Sequence, residues 1–161
     1  ITMRHPFYLA FLLTISMVAC KSGEISQTTK VPDGIQFNKE AKFETFLATA
    51  KSENKLVFVE FYADWCTPCK MMEQQVFSDK SIGDFFNKKF VNVKVDSEKG
   101  NGPDLAAIFE VTALPTLLFL DEIGRVVERR EGAAFHKDLM NMAENALSQK
   151  ESMTYIDIPQ N

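Results

Sequence analysis

A chain of 161 residues that is 45% hydrophobic and 25% charged, with only 7 Gly and 6 Pro, has the make-up of one compact soluble domain, which excludes collagen-like, coiled-coil and disordered classes. Eighteen Lys and Arg against 22 Asp and Glu leave a net charge of -4 with no basic run, so no nucleic-acid partner is implied. Fourteen Phe supply core enough to fold without staples, so the three cysteines need another explanation: Cys20 stands alone, and Cys66 and Cys69 form a C-x-x-C pair.

From Met3 the chain has a basic start, Arg4-His5, then twelve mostly apolar residues, Phe7 to Val18, and the small Ala19. This is the layout of a secretory signal over residues 1–20. A spanning helix needs about 20 apolar residues, and the polar stretch from Lys21 closes the segment first. Met17-Val18-Ala19-Cys20 resembles the bacterial lipobox. That resemblance implies a lipidated Cys20, a lipid anchor to a membrane and a periplasm-facing place in the cell envelope; an ordinary cleaved signal with an incidental Cys20 is the alternative. Residues 21–34 are polar and turn-forming, as expected of a flexible linker.

The folded domain is expected over 35–150. Asn38 is placed to cap a helix whose apolar face is Phe43, Phe46, Leu47 and Ala50. Leu56 to Tyr62 is a nearly continuous β-branched and aromatic run, the mark of a strand covered on both faces, with Glu60 its exception. The C-x-x-C follows directly, and Pro68 with Lys70 to Gln75 reads as a helix start. Ser81 to Lys88 is expected as a helix, Phe90 to Val95 as a strand and Pro103 to Phe109 as a third helix. Alternating strands and helices imply an α/β fold with a parallel βαβ core. Thr116 to Leu120 and Val126 to Arg129 flank the turn Asp121-Glu122-Ile123-Gly124 and form an antiparallel hairpin. Phe135, Leu139, Met142, Ala143, Ala146 and Leu147 make the apolar stripe of a last helix, and 151–161 reads as a frayed polar tail.

The pair at 66 and 69 carries the chemistry. At a strand-to-helix turn Cys66 meets the free amides and positive end of the helix dipole, which favour its thiolate, the nucleophilic form. Cys69, one turn inside, is near enough to attack a mixed disulfide formed at Cys66 and release the partner. Two bland readings compete. Zinc needs about four ligands, and outside the pair the expected mature domain offers only His136, carboxylates and Cys20; a staple closing so short a loop adds little. Met71, Met72, Met140 and Met142 have helical spacing that suits packing better than copper, and His136 suits a surface or cap position. No metal or cofactor is expected.

Val59-Glu60-Phe61-Tyr62-Ala63-Asp64-Trp65-Cys66-Thr67-Pro68-Cys69-Lys70 with Ala113-Leu114-Pro115-Thr116 resembles the thioredoxin superfamily over about 115 residues. Tyr62 to Cys66 followed by Phe77-Ser78-Asp79 is similar, more narrowly, to the C-terminal periplasmic domain of the electron carrier DsbD. The resemblance implies a thioredoxin-like fold, a central mixed sheet flanked by helices in one domain. It also implies Cys66 as attacking thiol, Cys69 as resolving thiol and Pro115 as a cis-proline; sequence alone would make it only a turn proline. Trp65, Thr67, Pro68, Leu114 and Pro115 would line the substrate groove. Glu60 stands where the family usually carries a buried Asp that exchanges protons with the resolving cysteine. Burial alone would raise its pKa, which suits a proton acceptor near neutrality; a strand acid paired with a surface lysine is the other reading. The family often has a lysine four residues before the acid that ends the next strand. That acid matches Asp96, and the position holds Asn92, so the local charge network is expected to differ.

Three functions follow. The first is a membrane-tethered monomer that reduces disulfides of protein partners, fed by a membrane electron donor; without histidine between the cysteines, nothing there adds stabilisation to the reduced thiolate. The second is an oxidase or isomerase of secreted proteins. The third is a non-catalytic binding module using the Trp65 and Pro115 groove.

Overall fold

β1 (Leu56–Tyr62) and β2 (Phe90–Asp96) are runs in which every residue but the last is buried, and they pair in parallel, Leu56 opposite Phe90 and Glu60 opposite Lys94. β3 (Thr116–Leu120) lies antiparallel on the other side of β1, with Thr116 opposite Phe61, and β4 (Val126–Glu131) completes the order β2-β1-β3-β4. The sheet is therefore mixed, as expected. The computed structural model describes residues 33–38 and 42–156, residues 153–156 by backbone alone.

Alternation along the strands divides the core into two layers. Val57, Val59, Phe61, Val91, Val93 and Val95 face α1 (Phe43–Glu53) and α4 (Gly102–Ile108), through Phe43, Phe46, Ala50 and Leu105. Leu56, Phe58, Phe90, Leu117 and Phe119 face α2 (Thr67–Met72), the π-helical turn Glu73–Phe77 that continues it, α3 (Lys80–Lys89) and α5 (His136–Ile156). The phenylalanines concentrate in this second layer. The Phe58 ring centroid lies 4.9 Å from Phe86 and 5.0 Å from Phe119, with Phe90 5.1 Å from both of those. Such aromatic pairs add about 0.5–1.5 kcal/mol each beyond their buried area, which fixes the face on which Glu60 and Lys94 also lie.

Local signals explain the ends of the elements. Asp79 caps α3, its Oδ1 accepting from the amides of Ser81 at 2.8 Å and Ile82 at 3.0 Å. The Ser81 hydroxyl, then those amides, hold the Asp79 carboxyl below its ordinary pKa. Asp121 organises the β3–β4 turn by accepting from the amides of Ile123 and Arg125 at 3.0 and 2.8 Å. The chain enters the domain past Gly34, which lies so close to Gly83 that a Cβ there would sit 2.3 Å from the Gly34 carbonyl carbon. Ile35 N then donates to Phe77 O at 2.7 Å, which ties the entering chain to the end of the helix that follows the cysteines.

Three expectations are corrected. Asn38 does not cap α1, because it lies in extended chain bridged to Val93 and its side-chain amide donates to Asn92 O; the capping position falls to Lys42, without a side-chain bond. Phe135 precedes α5 and is 55% exposed, outside the apolar stripe formed by Leu139, Met142, Ala143 and Ala146. The polar segment from Glu151 does not fray at once, since α5 runs on to Ile156.

Candidate active site

The strand, the turn and the helix place the cysteines. β1 ends at Tyr62, the chain turns through Ala63-Asp64-Trp65, and Cys66 takes the capping position of α2 with Pro68 in the first turn. Proline there has no amide to leave unsatisfied and brings its φ already set for a helix. Cys66 and Cys69 are joined in a disulfide with Cα atoms 5.3 Å apart, and the Cys69 amide donates to Cys66 Sγ at 3.2 Å. Both cysteines are buried, with 1% and 2% of their surface exposed, while Thr67 and Pro68 between them face solvent. A partner sulfur therefore reaches Cys66 only by docking close against this turn.

Of the residues expected in the groove, Trp65, Thr67 and Pro68 lie exposed on the turn that carries the pair. Trp65 is 65% exposed, and its Nε1 donates to Glu98 Oε1 at 2.8 Å. Beside it Asp64 binds Lys99, whose Nζ is also 3.1 Å from Asp96 Oδ2. These contacts hold the Asp64 carboxyl below its ordinary pKa, mainly through the Lys99 hydrogen bond, and hold the Lys99 ammonium above its own, first through Asp64 and then Asp96. The loop after β2 thus fixes the loop that presents Trp65. The sequence reading did not find Glu98 or Lys99, since both fall in a turn with no motif of its own.

Pro115 lies at the same end of the sheet as Cys66, because the Phe61–Thr116 register sets the start of β3 beside the end of β1. Its bond to Leu114 is cis. Trp65 and Leu114 share one open groove of about 530 Å³ with Pro103, Ala106, Val111 and Ala113. Arg129 braces the approach to that proline: its guanidinium donates to Phe109 O at 2.7 Å, to Glu110 O at 2.8 Å and to Glu131 Oε1 at 2.9 Å. That last bond is the main reason the Glu131 carboxyl titrates below its ordinary range.

Glu60 is fully buried, but its partner is a buried lysine rather than a surface one. Lys94, opposite it on β2, puts Nζ 3.3 Å from Glu60 Oε2 and 3.1 Å from Glu73 Oε2, with the Lys94 side chain only 4% exposed. Burial pushes the Lys94 pKa down, and the carboxylates of Glu60 and Glu73 more than reverse this, leaving it above the ordinary lysine value. The rings of Tyr62 and Phe37 complete the enclosure, 4.7 and 5.7 Å from Nζ. Asn92, where the family pattern leads one to look for a lysine, instead donates to Asn87 Oδ1. The lysine has moved one pleat along the same face, two residues nearer Asp96. Parallel register was the signal that would have found it.

The four methionines at 71, 72, 140 and 142 are packing residues: Met72 and Met142 are buried, Met71 and Met140 pack against the same core, and Met72 Sδ accepts from the Ala134 amide at 3.4 Å. His136 is a surface residue, 3.8 Å from Asp79. Cys20 lies outside the described residues.

Comparison with known proteins decides the family. The thioredoxin family model matches residues 35–145. This chain belongs to the thioredoxin family. Thioredoxin H2 of Arabidopsis thaliana is 34% identical over 116 residues, 71% of this chain and 79% of that protein. The solution structure of a candidate disulphide-isomerase from Bacteroides thetaiotaomicron is 40% identical, with a TM-score of 0.61 over 76% of this chain and 98% of that one. DsbD of Actinobacillus pleuropneumoniae is 28% identical over 115 residues, 70% of this chain but only 20% of that much longer protein. With its C-x-x-C pair joined as a disulfide at the head of α2, this thioredoxin-family chain is a thiol:disulfide oxidoreductase.

Proposed function

We propose that the chain works outside the cytoplasm as a membrane-tethered monomer that reduces disulfides of protein partners and is itself re-reduced by a membrane electron donor. In each turnover the Cys66 thiolate attacks a substrate disulfide, forming a mixed disulfide and releasing one substrate thiolate. Cys69 then gives up its proton, attacks Cys66 Sγ and releases the second substrate sulfur as a thiolate. Two electrons leave the dithiol, and Cys66–Cys69 becomes the disulfide. In this reading Glu60 accepts the Cys69 proton.

The observation that carries the direction is the bare setting of Cys66: the hydrogen bond reaching its sulfur comes from a backbone amide, and neither Thr67 nor Pro68 brings a cationic group. A thiolate held mainly by a helix end is less stabilised than one with a charged neighbour, so the dithiol gives up electrons more readily. The equilibrium potential tests this. A soluble chain starting after Cys20, titrated in defined thiol buffers, is expected near about -270 mV, where thioredoxin lies; a value near about -180 mV would favour the isomerase reading suggested by the Bacteroides similarity, and one near about -120 mV an oxidase.

The tether rests on the signal and lipobox-like residues 1–20. Among the described residues no helix is long and apolar enough to cross a membrane. Expressed in a bacterium with labelled palmitate, the full chain is expected to carry label and sediment with membranes. Cys20→Ser is expected to lose both, and label persisting in that variant would remove Cys20 as the anchor.

A further inference from the structure

We propose that Glu73 is a positioning residue for the resolving step: by sharing the Lys94 ammonium it limits the positive charge that reaches Glu60, and so keeps Glu60 basic enough to take the Cys69 proton. The inference rests on the reading of Glu60 as that acceptor. Glu73 lies four residues after Cys69, where α2 passes into the π-helical turn, and its side chain is 58% exposed. It nevertheless reaches inward to an ammonium that is almost wholly buried, with 3.1 Å to Glu73 against 3.3 Å to Glu60. An exposed carboxylate does little for stability through such a pair. Its effect falls on the charge held at depth, where screening is weak. π-Helical turns in α-helices frequently accompany functional sites.

The other groups around Lys94 leave this division in place. β1 adds Tyr62, whose hydroxyl burial and then Asp96 hold neutral beyond its ordinary range. Asp96, on β2 with Lys94, is engaged by Lys99. Phe37 from the entering chain is uncharged, and Lys70 on the preceding turn is exposed. The carboxylates that bind the ammonium directly are thus Glu60 and Glu73. Neutralising Glu73 removes a like charge from the neighbourhood of Glu60 and leaves the ammonium to Glu60, and both changes favour the Glu60 carboxylate. Its proton affinity falls, and Cys69 loses a proton to it less readily.

The test separates the two thiol steps with dithiobis(nitrobenzoate), an aromatic disulfide whose thiolate is coloured. Cys66 attack releases the first coloured thiolate, and Cys69 attack on the mixed disulfide releases the second as Cys66–Cys69 forms. In Glu73→Gln the acid limb of the second release is expected to move to lower pH by about 0.5 units, the size of a half-exposed ion pair, while the first release keeps its profile. Glu73→Asp, which retains the charge, is expected to stay near the native limb. An acid limb unmoved in Glu73→Gln but abolished in Glu60→Gln would overturn the role of Glu73 alone. A limb that survives in Glu60→Gln would remove Glu60 as the acceptor, and this inference with it.

Discussion

Cys69→Ser is expected to accumulate as a mixed disulfide between Cys66 and its substrates, whereas Cys66→Ser is expected to lose turnover by at least about a thousandfold. The asymmetry follows from position. Cys66 stands at the capping position, where its sulfur receives an amide hydrogen bond and the positive end of α2; Cys69 sits inside the helix with its sulfur turned to the first. A serine hydroxyl stays protonated far above neutral pH and cannot replace a thiolate, so loss of Cys66 removes the attack on substrate. Loss of Cys69 leaves that attack intact and removes only the release, so the covalent complex persists until an outside thiol cleaves it. Non-reducing gels and intact-mass measurement of Cys69→Ser exposed to a disulfide-bonded protein would show the adduct. Adducts forming instead in Cys66→Ser would reverse the roles, and undiminished cellular function of Cys66→Ser would turn the chain into a binding module.

The features legible in the sequence were those whose cause is local. A β-branched and aromatic run broken only by Glu60 marked β1, a proline after the first cysteine marked the start of α2, and Asp121 to Gly124 marked the hairpin turn; each is a signal a few residues long. What escaped depended on pairing between distant segments. Asn38 is a good capping residue, but its backbone bridges to β2 opposite Val93, its amide donating to Asn92 O and its carbonyl accepting from Lys94 N, and tertiary pairing outweighs a capping preference. Lys94 escaped for the same reason. In the sequence it is one lysine on a strand; only the register of β1 with β2 puts it against Glu60, and only the turn after α2 brings Glu73 to its other side. The cysteines and Glu60 could be found without structure, while the lysine and second carboxylate around Glu60 could not.

That buried pair sets the second large effect. Lys94→Met is expected to destabilise the domain by about 3–5 kcal/mol, because it takes the ammonium away from a carboxylate that cannot regain water where it stands. Glu60 is wholly buried and Lys94 nearly so, which makes this pair unlike an exposed bridge such as Lys80–Asp84, where solvent screens the charges and loss of one partner costs little. Against a total of about 5–15 kcal/mol, the loss is expected to lower the melting temperature by roughly 10–20 °C. Glu73 needs no rescue in this variant, since its side chain is already largely in solvent. The double variant Glu60→Met, Lys94→Met is expected to recover most of the loss, because apolar residues of similar volume can replace a buried ion pair at little cost. The sign of the pH dependence supplies an independent check. With its folded pKa above the ordinary lysine value, Lys94 contributes stability that is fully present below about pH 10.4, the unfolded value, and is lost as pH rises through the folded one. Denaturant melts of the native chain from pH 8 to pH 12 should therefore show an alkaline loss that Lys94→Met lacks. Equal alkaline losses in both, together with a destabilisation under about 1 kcal/mol, would mean that the Glu60–Lys94 pair is no stronger than a surface contact.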